Sequence, residues 1–212
     1  GCVEGLLAGP GKLDSVSVVV HGTTVGTNAL LERRGAKVGM IVTRGFRDVL
    51  ELRRRDRPRT WQLWGSYEPV VSRELSIEVG ERTLADGSVR EAVRPQEVAE
   101  AARALQGLGA EALCIFFVNS YANDANERAA LEAARAVWHN EHVVASSEIL
   151  PEIREFERAS TTALNGYLQP IIGRYLRDLE EKLREGGFGG DMLIMQSNGG
   201  VMSVETARRP PI

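Results

Sequence analysis

Short apolar runs alternate along the chain with longer stretches of helical periodicity. Several of the apolar runs lack alternation, as expected for strands covered on both faces. They predict strands at Val16–Val20, Lys37–Thr43, Ala112–Val118, Val143–Ser146 and Met192–Gln196. Apolar residues three or four positions apart predict helices over Pro95–Leu108, from Asp124 to Trp138 and over Thr161–Glu185. This order predicts an α/β protein with a mixed, mostly parallel sheet and helices on both faces.

Glycine, proline and capping residues predict where these elements turn or end. The pair Asp86-Gly87 lies between the β-like segments 77–83 and 88–93, which predicts an inserted β-hairpin. Asp124 followed by Glu127 resembles a capping box at the start of a helix. Pro170 lies inside the longest helical stretch and should kink or split that helix.

Composition narrows the class of protein. The 212 residues are 43% hydrophobic and 26% charged, which is typical of one large globular domain or one domain with part of another. A net charge of -3 and the lack of a long apolar run predict neither a nucleic-acid nor a membrane partner. Cys2 and Cys114 lie far apart and indicate neither a disulfide framework nor a zinc site. We therefore expect a cytoplasmic protein.

The first candidate site is the polar loop between the first predicted strand and the helix that follows it. A glycine there permits close approach of the backbone to a ligand, and helix N–H groups suit phosphate or carboxylate. The imidazole can transfer a proton or bind an anion when charged. The alternative, slightly favoured by the residues alone, is a capped helix beside a buried histidine. The candidate residues are His21, Gly22, Thr23, Thr24 and Asn28.

A second candidate site is the segment Ser197-Asn198-Gly199-Gly200, which follows the last predicted strand. Asn-Gly predicts a hairpin turn, and adjacent glycines let backbone amides surround phosphate oxygens. The two interpretations are compatible, because a hairpin turn can itself bind phosphate.

A third candidate contains Glu152, Arg154 and Arg158. Alternating charges at this spacing usually form surface ion pairs, and the alternative is that they line a cleft.

The arginine-rich stretch 53–71, which includes Trp61 and Trp64, predicts an exposed loop. A basic run is usually a solvated surface, with an anion or a partner subunit as the alternative.

Three blocks, in this order and spacing, carry a family resemblance. The first is residues 21–33, beginning His-Gly-Thr-Thr-Val-Gly-Thr-Asn and continuing to residues 42–51. The second is residues 152–158, Glu-Ile-Arg-Glu-Phe-Glu-Arg, with Ser160-Thr161-Thr162 and Asn165 close behind, and the third is residues 196–200, Gln-Ser-Asn-Gly-Gly. Together they resemble the A-type subunit of the hydantoinase/oxoprolinase family, which includes N-methylhydantoinases, 5-oxoprolinases, and acetone and acetophenone carboxylases.

The resemblance implies an actin-like, ribonuclease-H-like ATPase fold with nucleotide between two lobes. It implies ATP-dependent phosphorylation of a cyclic amide or related carbonyl before ring opening or carboxylation, with ATP and Mg²⁺ as cofactors. The implied partners are a small cyclic amide or ketone and a B-type subunit or fused domain. No catalytic base, nucleophile or metal ligand is assigned. The implied nucleotide contacts are Ser197, Asn198, Gly199 and Gly200, and the implied substrate or phosphate cleft contains His21, Gly22, Thr23, Thr24, Asn28, Glu152, Arg154 and Arg158.

The chain departs from the complete family pattern. The family's acidic, glycine-rich phosphate loop has no match before Val16, and its Ser-Gly-Pro-Ala-Ala-Gly-like stretch has no match after Gly200. We therefore expect an incomplete lobe of a longer protein that does not hydrolyse ATP by itself. Residues 1–150 would form most of the first lobe, 151–190 the crossing helices and 191–212 the opening strands of the second.

The sequence leaves two other functions open. A noncatalytic module would dock a partner subunit through residues 53–71 and the predicted hairpin, and an apolar patch at Trp61 and Trp64 would favour it. A lobe of a related carboxylase or small-molecule kinase would share the fold and differ in its substrate pocket. An open cleft lined by His21, Asn28 and Arg158 would favour an enzyme.

Overall fold

The computed structural model describes residues 13–54, 68–196 and 199–208. Residues 55–67, which include Trp61 and Trp64, lie outside the described residues, as do Ser197 and Asn198. The chain forms two compact units. We call residues 1–35 together with 168–212 the terminal unit, and residues 36–167 the central unit.

Strands and helices alternate along most of the described chain. Two short 3₁₀ helices occur at Leu13–Ser15 and Arg73–Leu75. The other elements, in order, are β1 (Val18–His21), α1 (Val25–Leu31), β2 (Val38–Thr43), α2 (Val49–Leu52), β3 (Ser76–Val79), β4 (Arg82–Thr83), β5 (Val89–Glu91), α3 (Pro95–Gly107), β6 (Ala112–Phe116), α4 (Ala125–Arg135), β7 (Val143–Ala145), α5 (Ser146–Ile149), α6 (Glu155–Glu185), β8 (Asp191–Met195), β9 (Val201–Ser203) and α7 (Val204–Arg208).

The central unit is built on a four-stranded parallel sheet in the order β3-β2-β6-β7. Strands β2, β6 and β7 are buried along their whole length, as the unbroken apolar runs predict. Gly39 lies against Leu105 of α3, whereas Val38 lies against α6. Because neighbouring residues of a strand point to opposite faces, helices cover both faces of this sheet. The predicted α/β class is confirmed here.

Helix α6 packs closely on the central sheet at Gly166. A Cβ atom at this position would lie 2.6 Å from the Cys114 Sγ atom, so glycine allows the close approach. The helix runs without interruption through Pro170, so the predicted split is wrong, whereas a kink at Pro170 stays a prediction. A missing N–H removes one hydrogen bond, which a long packed helix tolerates. The predicted end of this helix at Glu185 is confirmed. Just beyond it, Gly187 has a φ of 91° and the Phe188 N–H donates to Leu183 O, as at many helix C-termini.

The predicted hairpin is confirmed at its turn but not along its first arm. Strands β4 and β5 pair antiparallel around Gly87, which has a φ of 82°. Residues 77–79, predicted to belong to this hairpin, instead extend the parallel sheet beside β2. The physical reason is that pairing with β2 buries Val79 completely, which the short, exposed arm of a hairpin would not do.

The terminal unit contains a three-stranded sheet in the order β1-β8-β9. Strand β8 is parallel to β1 and antiparallel to β9. One face buries Met192 and Ile194, and the other exposes about half of the side chains at Val18, Val20, Met195 and Val201. Within the described residues, the expectation of helices on both faces is therefore wrong for this sheet.

Pairing of β1 with β8 groups the first 35 residues with the C-terminal part of the chain. The predicted division placed residues 1–150 together, so the compact units have other boundaries. The assignment of the predicted segments to lobes of a larger enzyme stays a prediction. In the part of the chain that is described, no helix is both long and apolar enough to span a membrane.

Candidate functional site

Two of the three predicted site segments emerge from the same edge of the terminal sheet. Strands β1 and β8 are parallel, and His21 lies beside Ile194 in the register. The loop after His21 and the turn after Met195 therefore leave from the carboxyl ends of neighbouring parallel strands. Ligands collect at such edges in open α/β sheets. The fold thus brings together two segments that are more than 170 positions apart in the sequence.

The turn between β8 and β9 contains the predicted glycine pair. The Gln196 N–H donates to Gly200 O at 2.7 Å, and the Gly199 N–H donates to Gln196 O at 3.0 Å. Gly199 has a φ of 85°, and no atom lies within 4 Å of the place where its Cβ would be. Glycine is therefore favoured there by the backbone conformation and not by crowding. The predicted roles of Ser197 and Asn198 fall outside the described residues.

His21 is half-buried at the end of β1. Its Nε2 atom lies 2.8 Å from the Tyr175 hydroxyl, and the ring centroids are 5.8 Å apart. Burial lowers the pKa of His21, which favours the neutral imidazole near pH 7. Tyr175 was not predicted as a site residue. The sequence shows it only as one of the periodic residues of the long helix, which gives no signal of this contact.

The polar residues after His21 are exposed and interact locally. The Val25 N–H donates to Thr23 Oγ1 at 3.2 Å, and Asn28 Nδ2 donates to Thr24 Oγ1 at 3.4 Å. Thr24 is the N-cap residue of α1, yet its side chain makes no capping hydrogen bond. Gly22, Thr23, Thr24 and Asn28 therefore lie on the surface at the sheet edge, where both threonines and the amide are open to solvent.

Arg158 is completely buried in the central unit. Its guanidinium donates to Glu152 O at 2.6 Å and to Phe117 O at 2.7 Å, and it lies 5.0 Å from the centroid of the Phe116 ring. Burial lowers the pKa of Arg158, and the charge of Glu127 opposes that shift. These contacts tie the start of α6 to the loop after β6.

The other two residues of the third segment lie on the surface. Glu152 and Arg154 are exposed, and Arg154 lies 3.9 Å from the Glu157 carboxylate. Arg158 contacts Glu152 through its backbone oxygen and not through its carboxylate. The structure therefore does not bring the three charged groups together, and their role at a cleft stays a prediction.

Glu127 is a buried acid that sequence reasoning placed wrongly. Its carboxylate accepts hydrogen bonds from the Phe117 N–H at 2.7 Å, the Ser146 hydroxyl at 2.6 Å and the Ser147 N–H at 2.8 Å. The predicted capping box is therefore wrong, and the Asp124 side chain makes no capping bond either. The reason is tertiary: the segments after β6 and β7 offer this carboxylate three donors, whereas a capping box would offer it one backbone N–H.

A second buried acid, Glu81, joins the neighbouring strands. Its carboxylate accepts hydrogen bonds from the Thr43 hydroxyl and, at 2.8 Å, from Asn126 Nδ2. Thr43 Oγ1 in turn accepts from the Val118 N–H at 2.9 Å. Burial raises the pKa of Glu81. Together, the two buried acids hold the segments that follow β2, β3, β6 and β7.

A polar pocket of about 430 Å³ opens beside the ends of β6 and β7. Its lining includes Ser120, Tyr121, Asn123, Asp124 and Ser147. The Glu127 carboxylate accepts hydrogen bonds from the Ser147 N–H and from the Ser146 hydroxyl, which in turn lies 3.3 Å from the Ser120 hydroxyl. The buried acid therefore supports part of the pocket wall. Among the described residues, no group of three or more His, Cys, Asp or Glu side chains is arranged to hold a metal ion.

The fold and this sheet edge define an α/β protein with polar loops at the carboxyl ends of parallel strands. Residues 3–138 match the hydantoinase/oxoprolinase N-terminal region, and residues 158–212 match hydantoinase/oxoprolinase. The chain therefore belongs to the hydantoinase/oxoprolinase family, as its three sequence blocks predict.

Several known proteins are similar to the chain. The caprolactamase subunit alpha of Pseudomonas jessenii is 34% identical over 86% of the chain and 27% of its own length. The crystal structure of ATP-dependent caprolactamase from that organism superposes with a TM-score of 0.85 at 31% identity, over 94% of this chain and 31% of that one. A nucleotide-free acetone carboxylase structure has a TM-score of 0.77 at 27% identity, and the match covers 90% of this chain and 29% of that one.

A further relative is the 5-oxoprolinase of Dictyostelium discoideum. It is 27% identical over 92% of the chain and 17% of its own length. The chain thus spans less than a third of each of these relatives.

Proposed function

We propose that the chain is part of an ATP-dependent enzyme that phosphorylates a cyclic amide or related carbonyl before ring opening. Membership of the hydantoinase/oxoprolinase family supports this reaction class, and the similar caprolactamase structure is described as ATP-dependent. The observation that carries the proposal is the shared edge of β1 and β8. It places the polar loop after His21 beside the Gly199 turn.

The residues at this edge fit the phosphate groups of a nucleotide. Thr23, Thr24 and Asn28 carry hydroxyl and amide donors on the surface, and the backbone at Gly199 is open. Backbone and side-chain donors of this kind stabilise charge on phosphate oxygens. We propose that these residues, with Gly200, Ser197 and Asn198, contact the phosphates. Among the described residues, no group of three or more His, Cys, Asp or Glu side chains could hold a metal ion, and we assign no magnesium contact to this chain.

When bound, ATP would supply the phosphoryl group that passes to the carbonyl oxygen of the substrate, with ADP as the leaving group. Phosphorylation of the amide oxygen would make the ring carbon more electrophilic, so that water adds to it and the C–N bond breaks, with a proton passing to the ring nitrogen. A second water would then release phosphate from the resulting acyl phosphate and leave the open-chain amino acid. The part of this chain would be to orient the phosphates at the sheet edge. His21, neutral because burial lowers its pKa, would donate or accept a hydrogen bond without adding charge.

The proposed enzyme has actin-like, ribonuclease-H-like lobes, of which this chain forms an incomplete part. The mostly parallel sheets and the similarity to caprolactamase support the α/β class of that fold. We also propose a B-type partner subunit. The names of three relatives support it, because caprolactamase subunit alpha, acetophenone carboxylase gamma subunit and acetone carboxylase beta subunit are each parts of larger assemblies.

Release of ADP by the full-length parent with its partner subunit tests this function. Caprolactam, hydantoin, 5-oxoproline and acetone form the substrate panel, and at least one should stimulate ATP consumption. The 212-residue chain alone should release no ADP with any of them. Stimulation by none of the four compounds would refute the proposed reaction class.

Two glycine variants of the parent test the proposed phosphate turn. Gly199→Ala places a side chain on a backbone with a φ of 85° and should raise the KM for ATP. Gly189→Ala is the matched control, because it lies in the preceding loop with no atom within 4 Å of the added Cβ and no positive φ. Equal KM values for ATP in the two variants would show that the Gly199 turn does not contact the nucleotide.

The noncatalytic docking module remains the second candidate. Residues 55–67 of the predicted docking loop, with Trp61 and Trp64, lie outside the described residues. The half-exposed apolar face of the terminal sheet, at Val18, Val20, Met195 and Val201, supports docking independently. This candidate predicts a stable complex with the partner subunit and no ATP consumption by the complex. A related kinase would instead release a stable phosphorylated product.

A further inference from the structure

We propose that Tyr175 is a positioning residue for His21. In this proposal, the Tyr175 hydroxyl donates to Nε2 and keeps the ring hydrogen on Nδ1. His21 then presents a neutral N–H donor to an oxygen of the bound ligand. The identity of that ligand, a phosphate or carbonyl group, rests on the proposed function, whereas the tautomer does not.

The contact joins two elements of the terminal unit. His21 is the last residue of β1, and Tyr175 lies on α6 with the buried Leu176 and Leu179 nearby on the same helix. The Nε2 to hydroxyl distance is 2.8 Å, and the ring planes are tilted by 37°. A packed helix holds the phenol ring in place, so this hydrogen bond fixes the orientation of the imidazole as well.

The donor in this hydrogen bond determines which nitrogen carries the hydrogen. A neutral imidazole has one donor nitrogen and one acceptor nitrogen. The acceptor nitrogen is a stronger base than a phenol oxygen, and the phenol O–H is the more acidic group. Tyr175 should therefore donate to Nε2, which leaves the hydrogen on Nδ1. Partial burial of the ring favours the neutral form that this arrangement requires.

The other ring nitrogen is available for a ligand. Within the described ranges, Nδ1 of His21 makes no hydrogen bond, whereas Nε2 is occupied by Tyr175. His21 is followed at once by the exposed Gly22, at the edge that also carries the Gly199 turn. An N–H donor at this place adds to the backbone and hydroxyl donors already described.

Nitrogen-15 spectra of the imidazole rings measure the tautomer directly in the 212-residue chain. In the unchanged protein, we expect a protonated Nδ1 and an unprotonated Nε2 for His21, assigned by loss of its signals in His21→Gln. In Tyr175→Phe, the ring should shift towards the Nε2–H form that histidine prefers in water. Tyr167→Phe is the matched control on the same helix and should leave the His21 spectrum unchanged.

Two spectral results would overturn the proposal. One is an Nε2–H tautomer for His21 in the unchanged protein. The other is the same His21 tautomer in the unchanged protein and in Tyr175→Phe. Both results are independent of any enzymatic activity.

Kinetics of the full-length parent test whether this positioning serves the reaction. Tyr175→Phe should lower kcat about fivefold, the rate equivalent of one ordinary hydrogen bond, with little change in the KM for ATP. His21→Asn retains an N–H close to the Nδ1 position and should keep more activity than His21→Gln. In the His21→Asn background, Tyr175→Phe should cause no further loss.

The outcomes separate this proposal from the proposed function. If Tyr175→Phe changes the His21 tautomer but leaves kcat unchanged, Tyr175 has no role in the reaction. The proposed reaction class would not be affected by that result. Failure of the unchanged parent to consume ATP with any substrate would refute the reaction class. The spectra of the isolated chain would still decide whether Tyr175 sets the tautomer.

Discussion

The Glu127 carboxylate accepts a hydrogen bond from the backbone N–H of Phe117 at 2.7 Å, although both residues are completely buried. The same carboxylate binds the hydroxyl of Ser146 and the N–H of Ser147. One charged side chain of α4 thus holds the segments that follow two neighbouring strands. A buried charge is costly unless it is fully hydrogen-bonded, and these three donors meet that requirement.

Glu127→Gln should destabilise the protein by about 2–3 kcal/mol. The amide nitrogen of glutamine cannot accept a hydrogen bond, so at least one buried donor loses its partner. Urea unfolding followed by circular dichroism measures the difference. Glu132→Gln, at an exposed position of the same helix, should change the free energy of unfolding by no more than about 0.5 kcal/mol. Equal effects of the two variants would contradict the buried network.

Arg158→Lys should also destabilise the protein, by about 2 kcal/mol. An ammonium group cannot reproduce the two separate hydrogen bonds that the guanidinium donates to Glu152 O and Phe117 O. The exposed Arg154→Lys serves as the control and should be close to neutral. If Arg158 served only to bind a ligand, its replacement by lysine would lower activity and leave the unfolding midpoint unchanged.

Gly166→Ala should cost about 1–3 kcal/mol of stability, because the new methyl group would lie 2.6 Å from the Cys114 sulfur. Gly173→Ala on the same helix meets no atom within 4 Å and should stabilise by about 1 kcal/mol through helix propensity. Cys114→Ala should recover part of the loss in a double-mutant cycle. Additive effects of the two substitutions would show that the sulfur is not the obstacle.

Glu81 should make stability depend on pH in a defined direction. Its pKa is raised above the ordinary value of 4.5 by burial, so the native state favours the protonated carboxyl. The contribution of the protonated Glu81 side chain to the free energy of unfolding is therefore complete below about pH 4.5, and it is lost as the pH rises through the raised native pKa of Glu81. Glu81→Gln lacks this titration.

The measurement is the difference in free energy of unfolding between the unchanged protein and Glu81→Gln. This difference should shift in favour of the variant as the pH rises from about 4 to about 8. The glutamine can still accept from Asn126 through its carbonyl and donate to Thr43 through its amide. A difference that stays constant over this range would show that Glu81 titrates with an ordinary pKa.

The sequence predicted the elements well where the pattern is local and strong. The apolar runs became β2, β6, β7 and β8 within a few residues, and the Asp86-Gly87 turn lies where its dipeptide predicts. The prediction failed at residues 77–79, because these residues suit either a hairpin or a parallel strand. Only burial against β2 selects the second.

The candidate site was predicted in part. The polar loop after His21 and the glycine turn were identified from their residue types. The hydrogen bonds that Tyr175 and Glu127 make were not predicted. Both make their decisive hydrogen bonds to residues on other elements. Periodicity and capping rules describe neighbours on one helix, so they contain no information about such partners.

The sequence by itself therefore determined the α/β class, most of the strands and helices, and the family, because these depend on local periodicity and on motifs of contiguous residues. The tertiary structure decided that β1 pairs with β8, that Arg158 and Glu127 are buried and hydrogen-bonded, and that His21 contacts Tyr175. The physical reason is that burial and hydrogen bonding between distant segments are set by packing, which local preferences do not specify.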